Sequence, residues 1–336
     1  MNEKQPFSPR RALWKLICLL LGAILVLMLA ATSGFRYFSN RIHFTAQAPE
    51  PAAPVFSSPE DAVLDFLDPG DVNWTQLCSD ISKKDKKIVN LLLIGQDQRG
   101  NDSSARADSI LLCSFRKTDG KLILTSFLRD LYLPISGHGS DRINAAYAYG
   151  GMPLLKETIV SNFDIPVDGC LEVDFSQFAQ IIDTLGGVEL QLRQDEADVI
   201  NRETDSDLAE GTHLLNGRQT LVYSRIRKLD SDGDFSRTER QRKVLGALVG
   251  AYQDASLPTL MKLLKQVLPM ISTDMSESRL LVLALDVFPM LSGLEIHSQS
   301  IPAPGACTDK TVNGMAVLVP DMEAARKLLQ ETAGIR

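Results

Sequence analysis

Between Lys15 and Arg36 the chain carries no charged side chain. The segment Leu16 to Phe35 reads LICLLLGAILVLMLAATSGF and is dominated by Leu, Ile, Val, Met and Ala. At about 1.5 Å of rise per residue, about twenty apolar residues in a helix cross a hydrocarbon core about 30 Å thick. Lys4, Arg10, Arg11 and Lys15 precede the segment with only Glu3 against them. The positive-inside rule puts residues 1–15 in the cytoplasm and everything after the span outside. Arg36 and Arg41 weaken that asymmetry without reversing it. A cleaved signal peptide is the alternative, but its apolar region is shorter and ends at a small-x-small site, which Ala30-Ala31-Thr32 fits poorly. Cys18 follows Leu16-Ile17 and lacks the small residues of a lipoprotein anchor.

Charge divides the chain in the same place. Overall it has 35 Lys and Arg against 42 Asp and Glu. Residues 1–45 hold six basic groups and one acidic, so the remaining 291 residues carry 29 basic and 41 acidic groups. An acidic exterior argues against bulk binding to nucleic acid or anionic lipid. An anion bound there must meet a local cluster of cations. The four cysteines beyond the span, Cys78, Cys113, Cys170 and Cys307, fit no metal spacing. Disulfides persist outside the cell, and spacing leaves bridged and free thiols equally open.

Residues 36–87 read as a stalk. Within them AQAPEPAAPVFSSPE, residues 46–60, is too rich in Pro and Ala to build a core. A compact region, residues 88–336, follows. Ile88 to Gly95 is a short apolar run suited to a buried strand. Asp108 to Phe115 and Lys121 to Leu128 read as a strand pair around the turn Lys117-Thr118-Asp119-Gly120. A helix is predicted from Met152 to Asn162, then a strand from Cys170 to Val173 and a helix from Phe175 to Leu185 ending at Gly186-Gly187. Val188 to Leu192 resumes as strand. Helices follow at 236–252, 257–268 and 276–291, with strands at 294–301 and 316–319 and a last helix at 321–332. Strands interleaved with helices over this length predict one α/β domain.

Several chemistries are excluded. None of the four histidines lies in a zinc pattern, and no G-x-S-x-G elbow occurs. Gly95 to Gly100 has the glycine spacing of a phosphate loop, but Asn101 stands where the lysine belongs. Asp230 to Asp234 begins like a calcium loop, yet Phe235 replaces the required glycine and Gln241 the closing glutamate. It reads as an acidic loop.

Carboxylates and arginines remain. Asp97 follows the first predicted strand and Asp108 opens the second, and strand ends are where α/β sheets present ligands. Two such carboxylates can hold a hard cation such as magnesium, although capping of turns is the ordinary use of Asp there. Arg106 lies two residues before Asp108, and Arg129 comes at the end of the third predicted strand, Lys121 to Leu128. A dense run follows with Arg225, Arg227, Lys228, Arg237, Arg240, Gln241, Arg242 and Lys243. Arg237 and Gln241 are four apart and share a helix face, near a helix start that itself favours anions. Guanidinium forks match phosphate oxygens. Spacing alone leaves a pyrophosphate site and a solvated basic helix face both open.

Seven stretches in order resemble the LytR–CpsA–Psr family of cell-wall phosphotransferases: NLLLIGQDQR (90–99), RADSIL (106–111), SFLRDLYLP (126–134), RINAAYAYGG (142–151), VDFSQFAQIIDTLGGV (173–188), YSRIR (223–227) and DFSRTERQRKVL (234–245). The late MAVLVPDMEAARKLL is similar to the family's terminal strand and helix, so the resemblance covers nearly all of 88–336. It implies a mixed central β-sheet packed between α-helices, and a single-pass anchor in a Gram-positive type of envelope. It implies transfer of a glycan with one phosphate from a polyprenyl-pyrophosphate carrier to a peptidoglycan hydroxyl, assisted by magnesium. The glycan would be a teichoic acid, a capsule or a related polymer. By position, Asp97 and Asp108 resemble the metal pair, and Arg106, Arg129, Arg225, Arg227, Arg237 and Gln241 the pyrophosphate clamp. Arg129 and Arg227 would serve catalysis together with the two Asp. Arg142 takes a basic position before Asn144-Ala145-Ala146. The prenyl tail would lie along Phe175, Phe178, Ile181, Ile182 and Leu185, a stripe that also suits ordinary core.

The same residues would serve a pyrophosphatase, with water as acceptor, or a protein that only retains lipid-linked glycan. Direct regulation of DNA is disfavoured, because a cytoplasmic tail of about fifteen residues is too short for a DNA-binding motif.

Overall fold

The computed structural model describes residues 87–96 and 106–333. The predicted cytoplasmic tail, the apolar 16–35 segment, the stalk up to residue 86 and Asp97 lie outside the described residues. Among those described, no helix is long and apolar enough to cross a membrane.

The chain runs β1 (Ile88–Gln96), β2 (Ala107–Arg116), β3 (Lys121–Phe127), β4 (Tyr132–Ile135), β5 (Gly139–Arg142), α1 (Ile143–Phe163) and β6 (Gly169–Asp174). Next come α2 (Phe175–Thr184), β7 (Val188–Leu192), α3 (Gln194–Thr204), β8 (Gly211–Leu215), α4 (Gly217–Arg225) and α5 (Asp234–Ala251). It closes with α6 (Leu257–Val267), β9 (Ser272–Thr273), α7 (Glu277–Leu291), β10 (Glu295–Ile301), β11 (Cys307–Val312), β12 (Met315–Pro320) and α8 (Met322–Thr332).

Six strands form the central sheet in the order β10-β3-β2-β1-β6-β9. β1 is antiparallel to β2 and parallel to β6, while β3 is antiparallel to β2 and parallel to β10. The sheet is therefore mixed. This register brings the C-terminal ends of β1, β3, β6 and β10 and the start of β2 to one edge. Ligands of α/β sheets gather at such an edge.

Both faces of the sheet are covered. On one, Leu92, Ile94, Ile110 and Leu112 pack with Ile159 and Phe163 of α1 and Leu329 of α8. On the other, Leu111, Cys113, Leu122 and Leu124 meet Leu245 and Val249 of α5. Burial on both faces explains why IVNLLLIG is a continuous apolar run rather than an alternating one. A second core joins α2, β7, α3, β8 and α4 to α5 through Ile182, Leu190, Ile200, Tyr223 and Val244.

Helix α1 begins nine residues earlier than predicted, at Ile143. The added stretch runs through Gly150 and Gly151, where the helix departs from helical geometry and kinks, with φ +62° at Gly151. A side chain on Gly150 would meet Leu154 Cβ at 2.6 Å. The predicted 316–319 strand is β12, which pairs with β11 in a separate hairpin. Cys113, Cys170 and Cys307 are free thiols. Burial pushes the Cys113 thiol up to about 12.

Candidate active site

Asp108 lies at the sheet edge as the second residue of β2. Arg129 follows β3, two residues past its end. Arg225 closes α4, and Arg227 lies two residues beyond. Arg237 and Gln241 occupy the first two turns of α5. Together with Phe175 these six polar residues line a cleft of about 240 Å³. Phe175 is delivered there by a capping box. Asp174 Oδ1 accepts from the Gln177 N–H at 2.7 Å, and Gln177 Oε1 accepts from the Asp174 N–H at 3.1 Å.

The arginines are held by carboxylates. Arg129 Nη1 donates to Asp108 Oδ1 at 2.7 Å, and Arg237 Nη2 donates to the Asp108 carbonyl at 3.2 Å. Three guanidinium groups converge on Asp234 Oδ1: Arg237 at 2.9 Å, Arg227 at 3.7 Å and Arg129 at 3.9 Å. Burial pushes the Asp234 carboxyl above its ordinary range, against the pull of Arg129 and Arg227. Burial also opposes the Arg129 charge, but Asp108 and the neighbouring carboxylates outweigh it and hold the guanidinium above its ordinary value. The Nε–H groups of Arg129 and Arg237 are buried and make no hydrogen bond. Such unmet donors are costly unless an acceptor completes them, and phosphate oxygens are of that kind.

Gln241 is fixed through its amide oxygen, which accepts from Ser109 Oγ at 3.0 Å. The Arg225 guanidinium lies 4.7 Å from the centre of the Phe175 ring. Phe175 and Gln241 also line a second space, an apolar cavity of about 330 Å³. Its floor is the sheet, with Leu93, Leu111, Leu171 and Val173. Its roof includes Phe178, Ile181 and Ile182 of α2 and Leu245 of α5. Leu185 of the predicted stripe is not part of this lining. A charged cleft and an apolar cavity thus share one wall.

The other predicted site residues lie elsewhere. Arg142 precedes α1 and places Nη1 3.2 Å from Asp130 Oδ1, beside the cleft rather than in its wall. Arg106 is exposed just before β2 and also stays out of the wall. Asp97 is not among the described residues. Asp234 was missed by sequence reasoning, which assigned it to an acidic loop. Its spacing of three from Arg237 on a helix was the available signal. The rest of that loop is engaged as well: Asp230 pairs with Arg193 and Arg240, and Asp232 accepts from Ser236.

The sequence profile described as the LytR_cpsA_psr family matches residues 70–334. The chain belongs to the LytR–CpsA–Psr family. It is 33% identical to the polyisoprenyl-teichoic acid–peptidoglycan teichoic acid transferase TagU of Bacillus cereus over 198 residues, 58% of this chain and 63% of TagU. It is 36% identical to the transferase TagT of Bacillus subtilis over 171 residues, 49% of this chain and 52% of TagT. The chain thus spans less than two thirds of the length of these curated relatives. Among solved structures, the family protein YwtF (TagT) with bound octaprenyl pyrophosphate lipid superposes with a TM-score of 0.57 at 26% identity. That match covers 75% of this chain and 92% of the other. The mixed α/β sheet between helices is therefore the family's architecture.

Asp234→Asn keeps the shape of the carboxylate and removes its charge. The three arginines then lose their common anchor and repel one another. Anion affinity is expected to fall about ten- to hundredfold, since a hydrogen bond to a charged group contributes about 1.5–3 kcal/mol. Titration with inorganic pyrophosphate checks this, and unchanged affinity would remove Asp234 from a role in anion binding at the cleft.

Proposed function

We propose that this protein transfers a glycan, with one phosphate, from a polyprenyl-pyrophosphate carrier to a hydroxyl of peptidoglycan. The observation that carries the reading is the shared wall: an arginine cleft opens beside an apolar cavity, matching a ligand whose anionic head is joined to a hydrocarbon tail. Teichoic acid transferase is the activity named for TagU and TagT. In this reading the head lies among Arg129, Arg225, Arg227, Arg237 and Gln241. The acceptor hydroxyl attacks the sugar-linked phosphorus and a P–O bond to it forms. The bond from that phosphorus to the bridging oxygen breaks, and polyprenyl phosphate leaves with the electron pair. The acceptor's proton passes to a carboxylate of the cluster. The guanidinium groups stabilise charge on the phosphoryl oxygens, usually the largest catalytic contribution.

Asp108, with Asp97, would hold magnesium. Among the described residues no group of three or more His, Cys, Asp or Glu could hold a metal by itself. A carboxylate on the wall of a phosphate-sized cleft suits magnesium nonetheless, because that ion takes one or two carboxylates and completes its shell with phosphate oxygens and water. Bound there, it would neutralise phosphoryl charge. The apolar 16–35 segment would anchor the chain in the cell membrane with the described domain outside, within reach of a carrier that stays in the bilayer.

The test is transfer from a lipid-linked glycan by detergent-purified protein, with and without peptidoglycan. Turnover that ignores the acceptor would assign the protein as a pyrophosphatase instead. Native mass spectrometry should find polyprenyl pyrophosphate on the protein as isolated. Ile181→Glu puts a carboxylate into the apolar cavity and is expected to weaken lipid binding by about tenfold or more. A variant that folds and still co-purifies with lipid would exclude the cavity as the tail site.

A further inference from the structure

Tyr149 lies on the surface outside the lining of both the cleft and the apolar cavity. It is the only exposed Phe, Tyr or Trp among the described residues, with 48% of its surface accessible. Its ring stacks on His138, at the turn between β4 and β5, with centroids 4.4 Å apart and planes 8° from parallel. Its hydroxyl donates to Asp141 Oδ2 at 2.6 Å. The ring is thus fixed at one face and at its tip, which leaves the other face open to solvent. The backbone supports this placement, because α1 departs from helical geometry at Gly150 and Gly151, immediately after Tyr149.

The platform is connected to the clamp. Asp141 Oδ1 accepts from the Arg142 N–H at 2.7 Å. Arg142 pairs with Asp130, and Asp130 with Arg129 at 3.8 Å. Arg106 also acts on the Tyr149 phenol, lowering it against the stronger upward pull of Asp141. The apolar cavity meets the clamp through Phe175 and Gln241. Tyr149 is linked through Arg142, a residue that neither space uses. A ligand with its tail in the cavity and its head in the clamp has to carry its sugars away from Phe175.

We propose that Tyr149, with His138, Asp141 and Arg142, forms a saccharide-binding subsite beside the clamp. A pyranose ring has a C–H face, which lies on an aromatic ring, and a rim of hydroxyls. Carboxylate oxygens keep a free lone pair after accepting one hydrogen bond, so Asp141 can accept from such a hydroxyl, and Arg142 and Arg106 supply donors. The sugar belongs to the donor glycan or to the acceptor, and both present the same chemistry to the ring. This subsite rests on the function proposed above.

The experiment compares wild type, Tyr149→Ala and Tyr149→Trp in detergent. Three probes are used: polyprenyl pyrophosphate without sugar, polyprenyl-pyrophosphate disaccharide, and a soluble peptidoglycan fragment. Tyr149→Ala is expected to weaken one sugar-bearing probe about five- to tenfold, of the order of one aromatic contact. It should leave polyprenyl pyrophosphate unchanged, and Tyr149→Trp should restore the loss. Loss with the disaccharide lipid assigns the subsite to the donor, and loss with the fragment assigns it to the acceptor. Equal weakening of all three probes would show that Tyr149 only staples the hairpin and would overturn the subsite, as would no change in any. Failure of wild type to bind polyprenyl pyrophosphate would instead sink the functional reading, and the ligand class with it.

Discussion

Arg129→Ala is expected to slow glycan transfer by about 10²–10³, the loss that follows removal of one well-placed donor to a developing oxyanion. Arg129 joins the two halves of the charge cluster. It bonds Asp108 at 2.7 Å and lies within 4 Å of both Asp130 and Asp234. Alanine removes a cation from the cleft and leaves the Asp108 and Asp234 charges less compensated. Lysine is a poor substitute, because a single ammonium cannot serve Asp108 and a phosphate with a planar fork. Arg129→Lys should therefore recover only part of the rate. The side chain is 24% exposed, so the protein should still fold. Single-turnover transfer from a lipid-linked glycan measures the effect. A rate within about twofold of wild type would remove Arg129 from the transition state.

Arg240→Ala should act on stability instead, with a loss of about 3–5 kcal/mol as expected for breaking a buried ion pair. Arg240 is 3% exposed, although it stands between Arg237 and Gln241 in sequence. Its Nε donates to Glu196 Oε1 at 2.8 Å and its Nη2 to Asp230 Oδ2 at 2.5 Å. Glu196 is 4% exposed, so removal of the cation leaves a buried carboxylate uncompensated. The same group sets an acid limit. Hydrogen bonding from Arg240 holds the Asp230 carboxyl below its ordinary range, with burial opposing and Arg193 assisting. A depressed folded value contributes stability that is present above the unfolded value, about 4, and is lost as pH falls through the folded one. Wild type should thus lose stability below about pH 4 more steeply than Arg240→Ala does. Denaturant unfolding from pH 7 to pH 3 checks both statements. Equal stability at pH 7 would refute the ion-pair assignment.

The contrast between Arg129 and Arg240 marks what the sequence could and could not convey. Strands β1, β2 and β3 and helices α2, α5 and α8 were legible because their apolar runs and caps are local. The end of α2 was legible because Gly186 and Gly187 take φ +86° and +97°. By contrast, α3 is a charged segment, QDEADVINRET, whose helicity depends on burying Ala197 and Ile200 in a core that it does not contain. The short α4 starts on Gly217, and its capping box between Asn216 and Gln219 was the overlooked signal. Strands β7 and β8 pair across α3, a contact that no local pattern specifies. The basic run reads as one cluster. The fold divides it, because Arg237 and Gln241 face the cleft, Arg240 faces Glu196, and Arg242 reaches Ser298 of β10. The partners lie 44 and 56 residues from these arginines, so spacing could not separate them.

The wall that Phe175 and Gln241 share has a consequence for selectivity. Two adjoining compartments act as one site only for a molecule whose two ends are covalently joined. For such a molecule, seating one end raises the effective concentration of the other, and two modest affinities multiply. On the proposed function, soluble phosphates and free prenyl chains would each engage a single compartment and gain nothing from the neighbour. Discrimination would then come from connectivity, and neither compartment would have to be highly selective by itself.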